Sequence, residues 1–305
     1  TEADNLAIIG SAEANRGKGN HIITTQTEHH AVLHACQFLE SKGFEVTYLS
    51  VDRTGRISME ELQRELRDDT ILVTIMFGNN EVGTIQPIKE IGKLLQNHQA
   101  YFHTDAVQAF GLTYIDVKEL GIDLLSVSGH KINGPKGIGF LYSHKNVDVQ
   151  PGLYGGEQER KRRAGTENVP AIVGLGKAVE IAGKAIEEKN SQYSRFKILL
   201  KETLVGAGID FEENGSLEYG LPHVLNLSFP GTDVESMLVN LDMSGIAVSS
   251  GSACTAGSIE PSHVLVAMFG KQSGNSRNSI RFSFGQGNTE EQIAWTAHEV
   301  VKIVK

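Results

Sequence analysis

The sequence predicts an α/β fold. Short runs rich in β-branched and aromatic residues alternate with stretches of helical periodicity through the first half of the chain, and 33 glycines provide the tight turns between them. After about Lys189 the alternation gives way to a smaller α+β pattern, so a boundary is expected between 1–188 and 189–305. The expected strands of the first part are 21–25, 46–51, 71–76, 101–104, 124–128 and 138–142. Ser58-Met59-Glu60-Glu61 reads as a capping box opening a helix through Arg67, and Pro87 suits the first turn of a helix through Asn97. An Ala-rich helix is expected over 170–188 and a second through Lys201. Beyond lie expected strands at 224–229, 246–248 and 280–284, a helix at 233–243 and a closing helix capped by Thr289 with Gln292 three residues on.

Composition narrows the function classes. The chain has 305 residues, 40% hydrophobic and 21% charged, with a mean hydropathy of -0.19, which fits a globular protein and disfavours disorder or coiled coil. No run approaches the roughly 18 apolar residues of a membrane span, and the opening Thr1-Glu2-Ala3-Asp4-Asn5 does not read as a signal peptide, so a cytoplasmic location is expected. Lys and Arg total 28 against 37 Asp and Glu, and the net charge of -9 argues against direct nucleic-acid binding as a primary role. Cys36 and Cys254 are too few for a disulfide framework or a cysteine-built metal site. A Gly-x-x-x-x-Gly-Lys phosphate loop and a dinucleotide fingerprint are both absent.

The densest chemical signal is Ser126-Val127-Ser128-Gly129-His130-Lys131-Ile132-Asn133-Gly134-Pro135-Lys136-Gly137, an apolar strand that ends in hydroxyls, an imidazole and an amine. Open α/β sheets bind ligands just beyond the carboxyl ends of their strands, where partial desolvation turns a lysine such as Lys131 into a Schiff-base nucleophile. The plainer alternative is a surface lysine in a turn. A second strand end, Tyr101-Phe102-His103-Thr104-Asp105-Ala106-Val107-Gln108, presents a carboxylate and then an amide. An Asp of this kind can hold the ring nitrogen of a pyridoxal cofactor protonated, or it can simply cap a helix. His29 starts a helical pattern whose face it is expected to share with Val32, Leu33 and Cys36, turning its ring inward. His30 and His34 could imitate a metal pair, but no further ligand completes a set, so no metal is expected. Asn80 in Asn79-Asn80-Glu81 follows another strand, and Arg281 alternates with apolar residues in Ser279-Ile280-Arg281-Phe282-Ser283. An inward Arg there would clamp a carboxylate bidentately, whereas an outward one would only meet solvent. Ser249-Ser250-Gly251-Ser252-Ala253-Cys254 and the small residues after it suggest an exposed, mobile loop carrying a thiol nucleophile, while Cys36 fits the core.

Together, Asp105-x-x-Gln108, Ser128-Gly129-His130-Lys131, Arg163-Ala164-Gly165-Thr166 and Ser250-Gly251-Ser252-Ala253-Cys254 resemble the motifs of cysteine desulfurases of the NifS/IscS type, in the same order and over essentially the whole chain. The resemblance implies the pyridoxal-phosphate fold type I (aspartate-aminotransferase-like), with a mixed, mostly parallel sheet in a large cofactor-binding domain and a smaller C-terminal domain bearing the cysteine loop. It implies pyridoxal 5'-phosphate as cofactor, covalently held by Lys131, with Asp105 on its ring nitrogen, Gln108 on its phenolic oxygen, His29 stacked on its ring, and Thr1, Ser128 and His130 on its phosphate. Asn80 and Arg281 match the residues that hold the substrate carboxylate, Thr166 matches one that reaches the phosphate from the partner subunit of a homodimer, and Cys254 matches the persulfide-forming nucleophile. Similar proteins begin with a further segment, so the chain is expected to be N-terminally truncated. The implied reaction is L-cysteine to L-alanine with sulfur passed to Cys254 and on to an iron–sulfur scaffold or a tRNA-thiolation enzyme. Two alternatives remain open: a selenocysteine lyase, and a catalytically silent sulfur-carrier scaffold.

Overall fold

The computed structural model describes residues 1–250 and 260–305. The first segment is helical: α1 (Glu2–Asn5), a π turn (Leu6–Gly10) and α2 (Ser11–Asn15). β1 (His21–Thr25), α3 (His30–Ser41), β2 (Glu45–Leu49), α4 (Met59–Glu65), β3 (Thr70–Thr74), α5 (Ile88–Leu95), β4 (Tyr101–Asp105), β5 (Leu124–Ser128) and β6 (Gly139–Ser143) follow. They form a six-stranded sheet in the order β2-β1-β3-β4-β5-β6, parallel except for β6, which runs antiparallel to β5. The sheet is thus mixed and mostly parallel, as expected. β1 and β3 are buried at all five positions, the signature of a parallel sheet enclosed on both faces. Ile22 and Leu72, fully buried, pack with Val32, Leu39 and Phe44, and each such side chain contributes on the order of 1.5–3 kcal/mol by leaving water.

The chain continues through α6 (Gln158–Lys161), α7 (Val169–Lys184), α8 (Ile186–Gly206), β7 (Glu212–Asn214), β8 (Val224–Ser228), α9 (Val234–Met243), α10 (His263–Phe269), β9 (Ser279–Ser283) and α11 (Glu290–Val304). β7, β8 and β9 form an antiparallel sheet of three. By its contacts the chain divides into two units, one of residues 1–50, 57–79 and 86–186, the other of 51–56, 80–85 and 187–305.

The start of α11 forms the expected capping box, Thr289 and Gln292 exchanging side-chain and backbone bonds. At α4 only half of it forms: Ser58 Oγ accepts the Glu61 N–H at 3.1 Å, but the Glu61 carboxylate turns to the Ser50 hydroxyl at 2.5 Å. α4 stops at Glu65 because Leu66 is extended, and Pro87 caps α5 from outside its first turn. The strand expected at 246–248 is absent; Ser249 makes an isolated bridge to Arg281. β7, α1, α2 and α10 were not expected. They are short, and three to seven residues carry too little periodicity to register.

Candidate active site

Three chain segments bring chemistry to the carboxyl edge of the parallel strands. β4 ends at Asp105, whose buried carboxylate accepts the Val107 N–H at 2.9 Å. Burial, reinforced by the neighbouring Asp4 carboxylate, pushes its pKa up to about 7, while the Lys131 ammonium opposes the rise. β5 ends at Ser128 and turns at once into a 3-10 turn (Gly129–Ile132) that carries Lys131 and closes on Asn133 in the left-handed region at φ 61. The turn is braced from below, Ile132 packing with Leu175, Ala178 and Ala182 of α7. The return strand is equally constrained: a Cβ on Gly139 would lie 2.4 Å from the Val127 carbonyl oxygen, so only glycine lets β6 pair this closely with β5. Ser128 Oγ and His130 Nδ1 lie 2.7 Å apart, a hydroxyl and an imidazole joined at an exposed strand end.

The third segment is the turn after β1. His29 is the N-cap of α3, its backbone extended and its Nδ1 accepting the Ala31 N–H at 3.1 Å. This corrects the expectation that its ring shares the inward helix face with Val32, Leu33 and Cys36. An N-cap stands outside the helical spiral, so His29 is exposed at the sheet edge while Val32 and Cys36 are buried. Desolvation nonetheless lowers its pKa, because surrounding atoms crowd the ring even where the residue's outer surface is open; the His30 and Lys131 charges act the same way and Asp4 opposes them. Lys131 thus exerts its field on Asp105, His29 and His130 alike, which brings residues from three distant stretches of sequence into one electrostatic neighbourhood. Gln108 is half-buried in the turn after β4. Thr1 caps α1 without a side-chain bond, leaving its hydroxyl uncommitted to the helix.

Below this edge lies a buried polar layer that sequence reasoning missed. His103 bonds Thr74 Oγ1 at 2.8 Å and Ser126 Oγ at 3.0 Å, crossing from β4 to both neighbouring strands. Burial drops its pKa to about 4, so the imidazole is neutral at pH 7 and its 3.8 Å approach to Asp4 is not an ion pair there. Glu28 is fully buried, accepting the Met76 N–H and the Thr25 hydroxyl, both at 2.9 Å. Burial pushes its pKa up to about 8 against those two hydrogen bonds, with the Asp105 and Asp4 carboxylates adding to the rise. The polar run Thr24-Thr25-Gln26-Thr27-Glu28 at the end of an apolar strand was the available signal.

Asn80 and Arg281 belong to the other unit. Arg281 sits in the middle of β9 opposite Asn226 of β8, and its Nη1 donates to the Asn80 carbonyl at 3.0 Å. Its Nε is buried and, among the described residues, has no hydrogen-bond acceptor. Burial lowers the Arg281 pKa and Glu81 raises it. Thr166 is exposed on the segment preceding α7, which Arg163 ties to α1 through Glu2 at 2.9 Å. Cys36 is buried in the core, its thiol pushed up to about 12 chiefly by burial, and is chemically inert. Cys254 lies outside the described residues.

The chain matches the model of the aminotransferase class-V family over residues 1–295, and it belongs to that family. Over its whole length it is 64% identical to a putative cysteine desulfurase IscS 1 of Bacillus subtilis, covering 80% of that protein. It is 53% identical to a cysteine desulfurase IscS of Methanosarcina thermophila, again over all of this chain and 75% of the relative. Among solved structures, a NifS-like protein superposes with a TM-score of 0.91 at 36% identity, over 99% of this chain and 80% of that one. The fold is therefore the pyridoxal-phosphate fold type I, and the family depends on that cofactor.

The residues present fit it. Asp105 is a buried carboxylate with a single backbone donor given to it by Val107, and a ring N–H beside it would restore the charge balance that burial upsets. Ser128 and His130 supply polar hydrogens for a phosphate, and Lys131 supplies the amine.

Proposed function

We propose that this protein is a cysteine desulfurase, converting L-cysteine to L-alanine and keeping the sulfur as a persulfide on Cys254. The observation that carries this reading is the convergence of Lys131, Asp105 and His29 at one sheet edge. Bound there, pyridoxal phosphate supplies an electron sink for the carbon atoms of the amino acid. Lys131 anchors it and moves the proton at Cα. Asp105 holds the ring nitrogen protonated: a cationic N–H brought beside the carboxylate lowers its pKa and leaves it ionised. His29 covers one ring face, Gln108 donates to the phenolic oxygen, and Thr1, Ser128 and His130 hold the phosphate. Arg281 and Asn80 receive the substrate carboxylate, the guanidinium using the donor that β9 leaves without an acceptor.

Cys254 acts as thiolate on the substrate sulfur. A sulfur–sulfur bond forms, the carbon–sulfur bond breaks with its electron pair left on carbon, and protonation completes alanine, so that L-cysteine and Cys254 thiol become L-alanine and Cys254 persulfide. Two names among the similar proteins support cysteine as substrate: the IscS relatives, and a solved structure described as SspA in complex with cysteine, 40% identical over 93% of this chain. We read the protein as a cytoplasmic homodimer in which Thr166 completes the partner's phosphate site, with residues 1–188 as the cofactor domain and 189–305 as the domain of the cysteine loop. Among the described residues no helix is long and apolar enough to cross a membrane. The acceptor is an iron–sulfur scaffold or a tRNA-thiolation enzyme.

The test is alanine release from L-cysteine by the cofactor-loaded protein. Cys254→Ala is expected to abolish it while retaining the visible absorbance of the bound cofactor. Normal turnover by that variant would remove Cys254 from the mechanism, and faster turnover of selenocysteine than of cysteine by the parent would favour the lyase.

A further inference from the structure

The turn that carries Asn80 is tied down by its neighbour. The Glu81 carboxylate is buried, only 3% exposed, and accepts a short hydrogen bond from the Ser262 hydroxyl. The same hydroxyl caps α10 by accepting the Leu265 N–H at 3.2 Å. The Glu81 carbonyl accepts Asn226 Nδ2 at 3.1 Å, and the preceding carbonyl, that of Asn80, accepts Arg281 Nη1 at 3.0 Å. Asn226 and Arg281 face each other across β8 and β9. Asn226 is fixed in turn by Asn214 Nδ2 at 2.8 Å, and Asn214 also reaches Ser279 Oγ at 2.9 Å. Two consecutive residues, Asn80 and Glu81, therefore meet one buried network from two strands and a helix start, all within one unit.

That network has a charge problem that points to its use. Burial pushes Glu81 up to about 7, opposed by the Ser262 hydroxyl and by the Arg281 charge. Arg281 gains from Glu81 in return. A buried carboxyl near a half-buried guanidinium, hydrogen-bonded to a hydroxyl rather than forked onto the guanidinium, stabilises the cation without using up its donors. A direct bidentate pair would block the very group that a substrate carboxylate needs.

We propose that Glu81 is the positioning residue of the amino-acid carboxylate clamp: anchored on Ser262, it holds the Asn80 turn against Arg281 and supports the guanidinium without pairing with it directly. The inference rests on the reading of Arg281 and Asn80 as carboxylate binders, and it adds a residue that acts only through them. Its signature is selectivity for the carboxylate, which a general structural role would not produce.

The experiment uses the cofactor-loaded protein and reads binding from the change in cofactor absorbance on titration with L-alanine and with ethylamine, which shares the amine and lacks the carboxylate. Glu81→Ala is expected to weaken L-alanine about tenfold, the scale of a hydrogen bond to a charged group, and to leave ethylamine unchanged. In turnover, KM for L-cysteine rises by the same factor with kcat little altered, and cysteamine binding does not move. Glu81→Gln, which keeps an acceptor for the Ser262 hydroxyl, is expected to recover most of the loss. Should Glu81→Ala fail to fold, Glu81→Gln and Ser262→Ala carry the test, the latter weakening L-alanine selectively. Unchanged L-alanine affinity in Glu81→Ala, or an equal loss for L-alanine and ethylamine in whichever variants fold, overturns the proposal. A parent that binds L-alanine with carboxylate selectivity but releases no alanine from cysteine would instead overturn the desulfurase reading and leave the role of Glu81 standing.

Discussion

The two sheets solve the same problem in opposite ways. In the six-stranded sheet β1 and β3 are buried at every position, so polar chemistry appears only at or beyond strand ends: His29 past β1, Asp105 closing β4, Lys131 past β5. The polar groups inside it, such as His103, are satisfied across strands and serve as internal ties. In the three-stranded sheet β8 is buried throughout, but β9 opens at Arg281 and Ser283, and Arg281 works from mid-strand, half-exposed. A parallel sheet enclosed on both faces can offer a ligand only its edge, whereas an antiparallel strand with one open side can offer its face.

Single substitutions can break that contrast, and the edge should be the more sensitive. Lys131→Ala is expected to lose alanine release by at least about 10²–10⁴-fold, the usual worth of a positioned proton-transfer group, and to lose the covalent cofactor band as well. If the variant keeps both, Lys131 is a surface lysine in a turn. Asp105→Ala should come next, lowering kcat with KM for cysteine little changed. Arg281→Lys should do the reverse, raising KM about tenfold because an ammonium cannot reproduce the guanidinium fork. Steady-state kinetics on this pair separates edge from face: equal effects on kcat from both would sink the distinction.

The buried acids and bases sharpen it through pH. Glu28 has its pKa raised from 4.5 to about 8, so the folded apoprotein keeps a proton that the unfolded chain releases, and stability falls as pH climbs through that window. His103 is lowered from 6.5 to about 4, so the folded state refuses a proton that the unfolded chain takes, and stability falls as pH drops from 6.5 toward 4. Denaturant melts of the apoprotein across pH should show Glu28→Gln flattening the alkaline slope only. The smallest effect is expected far from either site: Thr289→Ala removes the α11 cap and should cost about 1 kcal/mol, with activity untouched.

Much of the fold was legible because its signals are local. Apolar runs located β1, β4, β5 and β6 to within about a residue, and a hydroxyl followed three residues later by Gln marked the start of α11. The 246–248 run failed because an apolar triplet has no periodicity of its own; pairing decides it, and only Ser249 pairs. At the site, Lys131, Asp105 and Arg281 stood out because charge at a strand end or within a strand is unusual. His29 was assigned to the right segment with the wrong orientation, since one more residue of helix would have turned it inward.

What the sequence determined by itself is which chemistry is available and on which elements it rides: an amine, a carboxylate and an imidazole at the ends of three strands, and a guanidinium within another, because each is written in a few adjacent residues. The tertiary structure alone decided which of those groups share a field and which buried acids brace them. Glu28, His103 and Glu81 look like ordinary polar residues in sequence, and they become ties only when segments distant along the chain lie side by side and remove the water around them.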